Sequence, residues 1–268
     1  MSLDYVVVRG GGDIASGTIQ KLYRSGFKVI ILEVEKPTAI RRNVAFSDAI
    51  YNGETSVEGI IAIRVNNINE MNEAHKNNFI PILVDPEGKI INEVKPLVVI
   101  DAILAKKNLG TNKNMSPITI ALGPGFKAGK DVDVVIETMR GHNLGRLIFD
   151  GYAMPNTGVP GEIGGYSKER VIYSDSDGVI RNISSIGEIV NKNDVLAYIG
   201  KNEVRAPIDG LLRGLIKDGT TVYKGLKIGD VDPRLKEVEN YTTISDKARN
   251  IGGGVLEALL IMKNIKKI

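Results

Sequence analysis

The stretch that decides the fold is residues 5–17, which read Tyr-Val-Val-Val-Arg-Gly-Gly-Gly-Asp-Ile-Ala-Ser-Gly. A β-branched run that meets three glycines and then a helical pattern predicts a strand, a tight turn and the start of a helix. The spacing Gly10-x-Gly12-x-x-Ala15 fits the dinucleotide-binding fingerprint, in which the turn brings backbone amides to a pyrophosphate. We therefore expect an anion-binding site formed by Gly10, Gly11, Gly12, Asp13, Ala15 and Ser16.

Further polar residues near the opening bear on this anion site. Glu33 lies about 20 residues after the fingerprint, where an acid binds a ribose hydroxyl in dinucleotide-binding folds. Arg41 and Arg42 follow; they either hold a 2′-phosphate or another anion, or face solvent. Asp13 puts a negative charge at the helix start. It is either an N-cap or part of Gly-Gly-Gly-Asp-x-Ala, which is similar to the pyridine-nucleotide motif of thioredoxin-reductase-like flavoproteins.

Composition argues against several classes of function. The chain has 268 residues with 35 basic and 32 acidic side chains, so its net charge of +3 gives no reason to expect nucleic-acid binding. It has no cysteine and only two histidines, His75 and His142, so we expect no disulfide and no metal site. No segment has the roughly 18 consecutive apolar residues that span a bilayer, so we expect no membrane association and a cytoplasmic location.

The order of the predicted elements divides the chain into four segments. Short apolar strands alternate with helical patterns in residues 1–113, which predicts a Rossmann-like domain with a mainly parallel sheet. Residues 114–173 form a mostly β region with glycine-rich loops, residues 174–235 contain an internal repeat, and residues 236–268 are a helical tail. The predicted fold class is therefore α/β, with a sheet domain, a mostly β region and a C-terminal helix.

The repeat pairs residues 177–200 with residues 209–232, without a gap, at a constant offset of 32 residues. Turn glycines and apolar positions recur together, which predicts two copies of one supersecondary unit packed face to face. The pattern resembles the two halves of a biotinyl/lipoyl-type barrel, and residues 204–210 (Val-Arg-Ala-Pro-Ile-Asp-Gly) resemble the start of its second half. Lys201 is the lysine nearest to the hairpin tip, but neither Met nor Asp precedes it, so we expect no biotin or lipoate.

Glycine-rich loops between residues 117 and 161 contain a second group of candidate site residues. Guanidinium groups and backbone amides on such a loop can bind a multiply charged anion, although two surface arginines on a turn have the same pattern. His142 is the candidate catalytic residue, as a proton shuttle, and a structural histidine is the alternative. The candidate cofactor-binding residues in these loops are Gly123, Gly125, Arg140, Gly141, His142 and Arg146.

The tail contains a second glycine-to-helix junction. Ser245 predicts an N-cap, Asp246 is a favourable first-turn acid, and residues 255–265 follow as an apolar helix. Residues 252–254 are three glycines that interrupt the pattern, and each costs a helix about 1 kcal/mol relative to alanine. We expect either a close backbone contact there or exposed amides that bind a ligand, with Gly253 as the candidate.

Long motifs spread along the chain resemble one family. They include residues 9–17 (Arg-Gly-Gly-Gly-Asp-Ile-Ala-Ser-Gly), residues 137–146 (Glu-Thr-x-Arg-Gly-His-x-Leu-Gly-Arg) and residues 252–258 (Gly-Gly-Gly-Val-Leu-Glu-Ala), with further motifs at 33–42, 44–47, 121–129, 156–161 and 225–234. The chain resembles the YqeB-type accessory proteins of selenium-dependent molybdenum hydroxylase systems, whose distant XdhC-type relatives also carry a Rossmann-like part. The resemblance implies a cytoplasmic accessory role in maturing a molybdenum hydroxylase, by handling molybdopterin, selenium or sulfur.

These observations leave three functions open. The leading hypothesis is a maturation factor that binds a phosphate-bearing cofactor, of the NAD(P) or molybdopterin type, between its domains. The second is an NAD(P)-dependent oxidoreductase with His142 as an acid, and the third is a carrier or docking module built on the repeat. The expected partners are a phosphate-bearing small molecule and the molybdenum hydroxylase apoprotein, and a homo-oligomer is left open.

Overall fold

The structure, a computed structural model, describes residues 5–268 and divides into two compact units. The first unit contains residues 5–37, 45–156 and 244–268 of the described chain. The second unit contains residues 38–44 and 157–243. None of the helices in the described chain combines the length and the apolar content that a bilayer crossing requires.

The first unit is built on a nine-stranded sheet. Its strands are β1 (Tyr5–Arg9), β2 (Lys28–Glu33), β3 (Glu54–Val57), β4 (Ile60–Arg64), β5 (Ile80–Val84), β6 (Val98–Asp101), β7 (Ile118–Leu122), β9 (Val134–Ile136) and β10 (Leu147–Ile148), while β8 (Lys127–Ala128) and β11 (Gly151–Tyr152) form a separate two-stranded ribbon. The order is β10-β9-β7-β6-β1-β2-β5-β4-β3. The pairings are parallel except at the two edges, where β3 pairs with β4 and β9 with β10 in antiparallel fashion.

Apolar strands of this sheet are buried because helices cover them. The helices are α1 (Asp13–Arg24), α2 (Ala49–Asn52), α3 (Ile68–Lys76), α4 (Ile91–Val94) and α5 (Asp246–Lys266). Met71 and Ala74 of α3 pack in one core cluster with Val7, Ile30 and Val99 of the central strands. Helices α1 and α5 pack against each other, and α5 also contacts β7 and β9. Continuous apolar strands with helical cover explain why a short run such as residues 5–9 is fully buried.

Helix α5 runs without a break through its three glycines, and the close backbone contact that was one of the two expectations for residues 252–254 is present. A Cβ on Gly252 would lie 2.5 Å from the carbonyl oxygen of Gly17 in α1, and a Cβ on Gly254 would collide with the carbonyl oxygen of Gly145. Two of the three glycines are therefore positions where backbones approach each other, which offsets their low helix propensity. Around Gly253 a Cβ would meet only the Lys21 side chain, at 3.8 Å.

The second unit contains two four-stranded antiparallel sheets. Its strands are β12 (Val171–Tyr173), β13 (Gly178–Asn182), β14 (Ile189–Val190), β15 (Val195–Ile199), β16 (Asn202–Arg205), β17 (Gly210–Leu215), β18 (Thr221–Val222) and β19 (Lys227–Asp232), followed by a 3-10 segment at Leu235–Thr242. The sheet orders are β12-β19-β17-β14 and β16-β15-β13-β18. Repeat-related strands occupy the same places in the two sheets. Asp177 accepts the Lys224 amide at 2.7 Å, and its repeat counterpart Asp209 accepts the Lys192 amide at 2.6 Å.

The predicted fold class, a Rossmann-like domain followed by a mostly β region with a biotinyl/lipoyl-like barrel and a helical tail, was wrong. Strands β7, β9 and β10, which lie in the predicted mostly β region 114–173, extend the sheet of residues 5–101 into one large mixed sheet. The predicted tail contributes α5, which packs on α1 within the same unit. In the second unit the pairings between described strands give two separate antiparallel sheets rather than a closed barrel.

Candidate functional site

The turn after β1 is occupied largely by the protein's own groups. Gly10 has φ +98°, and a Cβ there would lie 2.8 Å from the carbonyl oxygen of Ala102. The Gly11 amide donates to Glu33 Oε2 at 2.9 Å, and the Gly11 carbonyl accepts the Ser47 amide at 2.8 Å. Burial raises the pKa of Glu33. Glu33 therefore lies beside the glycine turn, as expected. Its carboxylate, however, accepts the hydrogen bond of the Gly11 amide, which in the dinucleotide-binding fingerprint would bind a phosphate.

The start of α1 is more open than the turn that precedes it. Gly12, not Asp13, is the N-cap residue; no side chain caps the helix, and a Cβ on Gly12 would meet nothing within 4 Å. Ser16 donates to the Gly12 carbonyl at 3.1 Å and accepts the Phe46 amide at 3.3 Å, so its hydroxyl is used within the protein. Asp13 is the first residue of α1, and Ala15, two residues later, is buried.

A cluster of charged residues lies where α5 begins. The Arg140 guanidinium makes a bidentate pair with Asp246, with Nη1–Oδ2 and Nη2–Oδ1 distances of 2.7 and 2.9 Å. Burial lowers the pKa of the half-buried Lys247 and the charge of Arg140 lowers it further, while Asp13, Glu137 and Asp246 act in the opposite direction. Lys247 therefore shares one electrostatic environment with the start of α1 and with the residue that follows β9. Within residues 5–268, no side chain makes a hydrogen bond or close ion pair with Lys247.

The other groups at this edge of the sheet are satisfied within the protein. Glu137 is buried; its two carboxylate oxygens accept the Met139 and Met154 amides at 2.6 and 2.8 Å. A Cβ on Gly123 would lie 2.5 Å from Thr138 Oγ1, and a Cβ on Gly125 would lie 2.8 Å from the Lys107 backbone. Gly123 and Gly125 thus allow loops to pack closely.

His142 and Arg146 lie in a different place from Arg140. Both are exposed and line an open groove of about 580 Å³, with Phe149 beside β10 and with Glu257 and Ile261 of α5. Glu257 lies ten residues after Lys247 in α5, which places the groove about 15 Å farther along the helix. The residues of the predicted anion-binding loop therefore lie in two places. Arg140 lies at the start of α5, whereas His142 and Arg146 lie in the groove. Gly141, at φ +133°, connects the two parts.

The remaining predicted site residues are also accounted for by internal contacts. Arg41 and Arg42 belong to the second unit, where they donate to the carbonyl oxygens of Thr243 (3.3 Å) and Leu215 (3.0 Å). Gly253 lies inside α5, so its amide is not at a helix start. No group of three or more His, Asp or Glu side chains in the described part of the chain is placed to hold a metal ion.

Sequence analysis missed two residues of this region. Lys247 was not predicted as a site residue, because Asp13, which acts on its charge, is far away in the chain. The one local signal was the N-cap at Ser245, which indicates that Lys247 lies in the first turn of a helix. Ser47 is fully buried over the Gly11 turn, and its Oγ has no hydrogen-bond partner among residues 5–268. The sequence Val-Ala-Phe-Ser at residues 44–47 gives only a weak signal, since a serine that ends an apolar run indicates burial but does not indicate an unpaired hydroxyl.

Comparison with known proteins gives one sequence relative. No protein-family model matches the chain. The chain is 54% identical over 257 residues to "Uncharacterized protein YqeB" of Escherichia coli K12. The alignment includes 96% of this chain and 47% of the relative, so the chain spans about half the length of the curated relative that it matches. This identity supports the YqeB-type resemblance, and it carries no information on a selenium or molybdenum role.

Solved structures that resemble the chain are remote. A succinylglutamate desuccinylase from Silicibacter is 11% identical, with 86% of this chain and 85% of that chain covered and a TM-score of 0.25. The ectoine utilization protein EutE (DoeB) from Ruegeria pomeroyi is 12% identical, with coverages of 84% and 85% and a TM-score of 0.25. An aspartoacylase family protein from Mesorhizobium loti is 10% identical, with coverages of 80% and 59% and a TM-score of 0.24. Similarity at this level assigns neither a substrate nor a mechanism to this chain.

The predicted function, maturation of a selenium-dependent molybdenum hydroxylase, is contradicted by these comparisons. The three solved structures described above are named as a desuccinylase, an ectoine utilization protein and an aspartoacylase family protein, and none of the three is named as a maturation factor. The two alternatives, an NAD(P)-dependent oxidoreductase and a carrier module on a lipoyl-like barrel, gain no support either.

Proposed function

We propose that the first unit binds a small molecule through an anionic group, at the edge of the large sheet where α1 and α5 begin. The observation that carries this proposal is Lys247, a half-buried ammonium with no hydrogen-bond or ion-pair partner among residues 5–268. Partial burial of a charge without a direct hydrogen bond or ion pair is costly, and an anionic ligand that binds Lys247 would offset that cost. A cytoplasmic location, expected from the sequence, stays part of the proposal.

The charges around Lys247 leave it as the available cation. Arg140 is already paired with Asp246, and the Glu137 carboxylate accepts two backbone amides. Asp13 is the carboxylate that competes with a ligand, and two helix N-termini oppose it, since each carries roughly half a positive charge. An anion held between the open start of α1 and Lys247 would replace the hydration that the half-buried ammonium has lost.

The position of the site in the sheet supports a small-molecule ligand. From β1 the chain continues through α1 to β2 on one side, while β6 lies on the other side of β1. In open α/β sheets, ligands bind outside the carboxyl ends of the strands at the point where the order reverses in this way. Gly12, Glu33 and Glu137 all lie at that edge, because they end or follow parallel strands.

The charged groups of the site indicate which class of ligand it can bind. A phosphate or carboxylate group suits a single ammonium beside helix amides. The expected ligands named from the sequence, NAD(P) and a molybdopterin-type cofactor, both carry phosphate and remain proposals for this site.

Thermal-shift titration with inorganic pyrophosphate, ADP, NAD and NADP tests this proposal. At 100 times its dissociation constant, a ligand stabilises the protein by about 2.7 kcal/mol. We expect at least one of these compounds to stabilise the wild type and the control Lys130→Met, which removes an exposed lysine of the same unit. The same compound should stabilise Lys247→Met much less. Equal stabilisation of all three proteins, or of none by any of the four compounds, would contradict the proposal.

A further inference from the structure

The groove that contains His142 and Arg146 lies along an open edge of the large sheet. Strand β10 pairs with β9 on one side and is the last strand of the sheet, so among the described strands nothing pairs with its other side. Edge strands present unpaired backbone groups, and proteins usually cover or protect them. Here the cover is incomplete, because the edge opens into the groove between β10 and α5.

Apolar side chains are exposed on both walls of this groove. Phe149, next to β10, is 44% exposed. Ile261 lines the groove one residue farther along α5. A small ligand is a poor occupant, since ligand sites usually bury most of the ligand surface, whereas His142, Arg146, Phe149 and Glu257 in this lining are exposed. A larger apolar surface would fit the two walls better.

The groove carries both signs of charge. Arg146, on the loop before β10, and Glu257, on α5, are exposed and line the same groove. They do not form an ion pair with each other in the described chain, and Arg146 Nη1 donates a 3.2 Å hydrogen bond to Asn143 Oδ1. A surface with one cation-bearing wall and one anion-bearing wall is complementary to itself when it is turned by a twofold rotation.

We propose that this groove is the contact surface of a twofold homodimer. In an isologous interface each contact occurs twice, so Arg146 of one protomer faces Glu257 of the other on both sides of the axis. The exposed apolar side chains meet at the centre, and the charged pairs set the register and orientation at the rim. The β10 edge is then covered by the second copy of the chain.

Charge reversal tests the dimer directly. Sedimentation velocity over a dilution series should show a wild-type dimer that dissociates into monomers on dilution. Arg146→Glu and Glu257→Arg each place two like-charged pairs in the interface, so each should weaken dimerisation by at least about 10-fold. The double variant Arg146→Glu/Glu257→Arg re-creates both pairs with reversed polarity and should restore dimerisation. Circular dichroism and melting curves verify that each variant is folded, which we expect because both residues are exposed.

Three results separate this inference from its alternatives. The proposal is overturned if the wild type is a monomer at all concentrations. The proposal is also overturned if the wild type is a dimer but neither single charge reversal changes its dissociation constant. The same holds if the double variant dimerises no more tightly than the single variants. Lys130→Glu, a charge reversal at an exposed position outside the groove, should leave dimerisation unchanged. The result does not depend on ligand binding at Lys247, because the dimer surface uses other residues.

Discussion

Gly17 of α1 and Gly252 of α5 are in backbone contact: a Cβ on Gly252 would lie 2.5 Å from the Gly17 carbonyl oxygen. This contact lets two helices cross closely enough for both to begin at the same edge of the sheet. The start of α1, with Asp13, and the start of α5, with Lys247, are thereby brought into one electrostatic environment. The candidate site therefore depends on a glycine contact that lies outside it.

The glycines of α5 give a matched pair of stability predictions. Gly252→Ala should destabilise the protein by about 1–3 kcal/mol, because the added methyl group forces the helices apart. Gly253→Ala should stabilise it by up to about 1 kcal/mol, since its Cβ has room and alanine favours the helix. Chemical denaturation of the two variants and the wild type measures both changes. A loss of stability for Gly253→Ala as large as that for Gly252→Ala would contradict the packing argument.

Glu58 connects the β3–β4 turn to the starts of other elements. Its carboxylate accepts hydrogen bonds from Gln20 Nε2 (2.6 Å), the Ile244 amide (2.8 Å) and Arg249 Nη2 (3.0 Å). Burial alone would raise the pKa of Glu58, but these hydrogen bonds and the charges of Arg249 and Arg24 lower it below 4.5.

A depressed carboxyl pKa fixes the sign of the pH dependence. Glu58 contributes stability that is fully present above the unfolded-state pKa near 4.5 and is lost as the pH falls through the lower folded-state pKa. Glu58→Gln should therefore lower the free energy of unfolding at pH 7, and the difference from wild type should shrink below pH 4.5. Urea denaturation at a series of pH values measures this. A difference that stays constant down to strongly acidic pH would show that the charge of Glu58 plays no part.

Lys247 should destabilise the protein when no ligand is bound. Its pKa is lowered below 10.5, so the unfolded state binds more protons between the two pKa values and stability rises with pH there. We expect Lys247→Met to be more stable than the wild type at neutral pH, with a gap that narrows as the pH rises toward 10.5. Denaturation of the two proteins without ligand measures the gap. A less stable Lys247→Met would mean that the ammonium has a stabilising partner.

The end of α5 is held to the sheet by Asp133. Lys266 Nζ lies 3.0 Å from Asp133 Oδ2 and 2.6 Å from the Pro117 carbonyl oxygen, and Lys113 Nζ lies 3.3 Å from Asp133 Oδ1. Because the Asp133 side chain is only 5% exposed, Asp133→Asn should cost about 1–3 kcal/mol by leaving charged partners unsatisfied. Lys267→Met, one residue farther along, should change stability little. Similar effects of the two substitutions would rule out this anchor.

Local signals in the sequence predicted several elements. The run at residues 5–9 and the three glycines gave β1, its turn and the start of α1, because strand propensity and positive φ at Gly10 are encoded by neighbouring residues. Strand β2 at Lys28–Glu33 is one of the short apolar strands predicted within residues 1–113. The 32-residue offset between repeat copies reappears as strands in equivalent places in two sheets, since both copies carry the same turn and core positions.

Non-local pairing accounts for what the sequence could not show. The sequence of residues 118–148 does not show whether its strands join the sheet of β1 or form a separate region. Parallel strands are connected by long segments, so tertiary packing and not local sequence determines which strands become neighbours. Lys247 and Asp13 come together only after α5 folds back onto α1. For the glycines at 252 and 254 the sequence left a close backbone contact and a ligand site both open, because the groups that they contact come from distant parts of the chain.

A crystal structure grown with ADP, or with whichever compound gives the largest thermal shift, tests the central claim most directly. We expect density for the anionic group between the start of α1 and Lys247 Nζ. Density in the groove beside His142 and Arg146, with the α1 start unoccupied, would contradict it. So would a structure in which Lys247 keeps its position and no ligand group lies within hydrogen-bond distance of it.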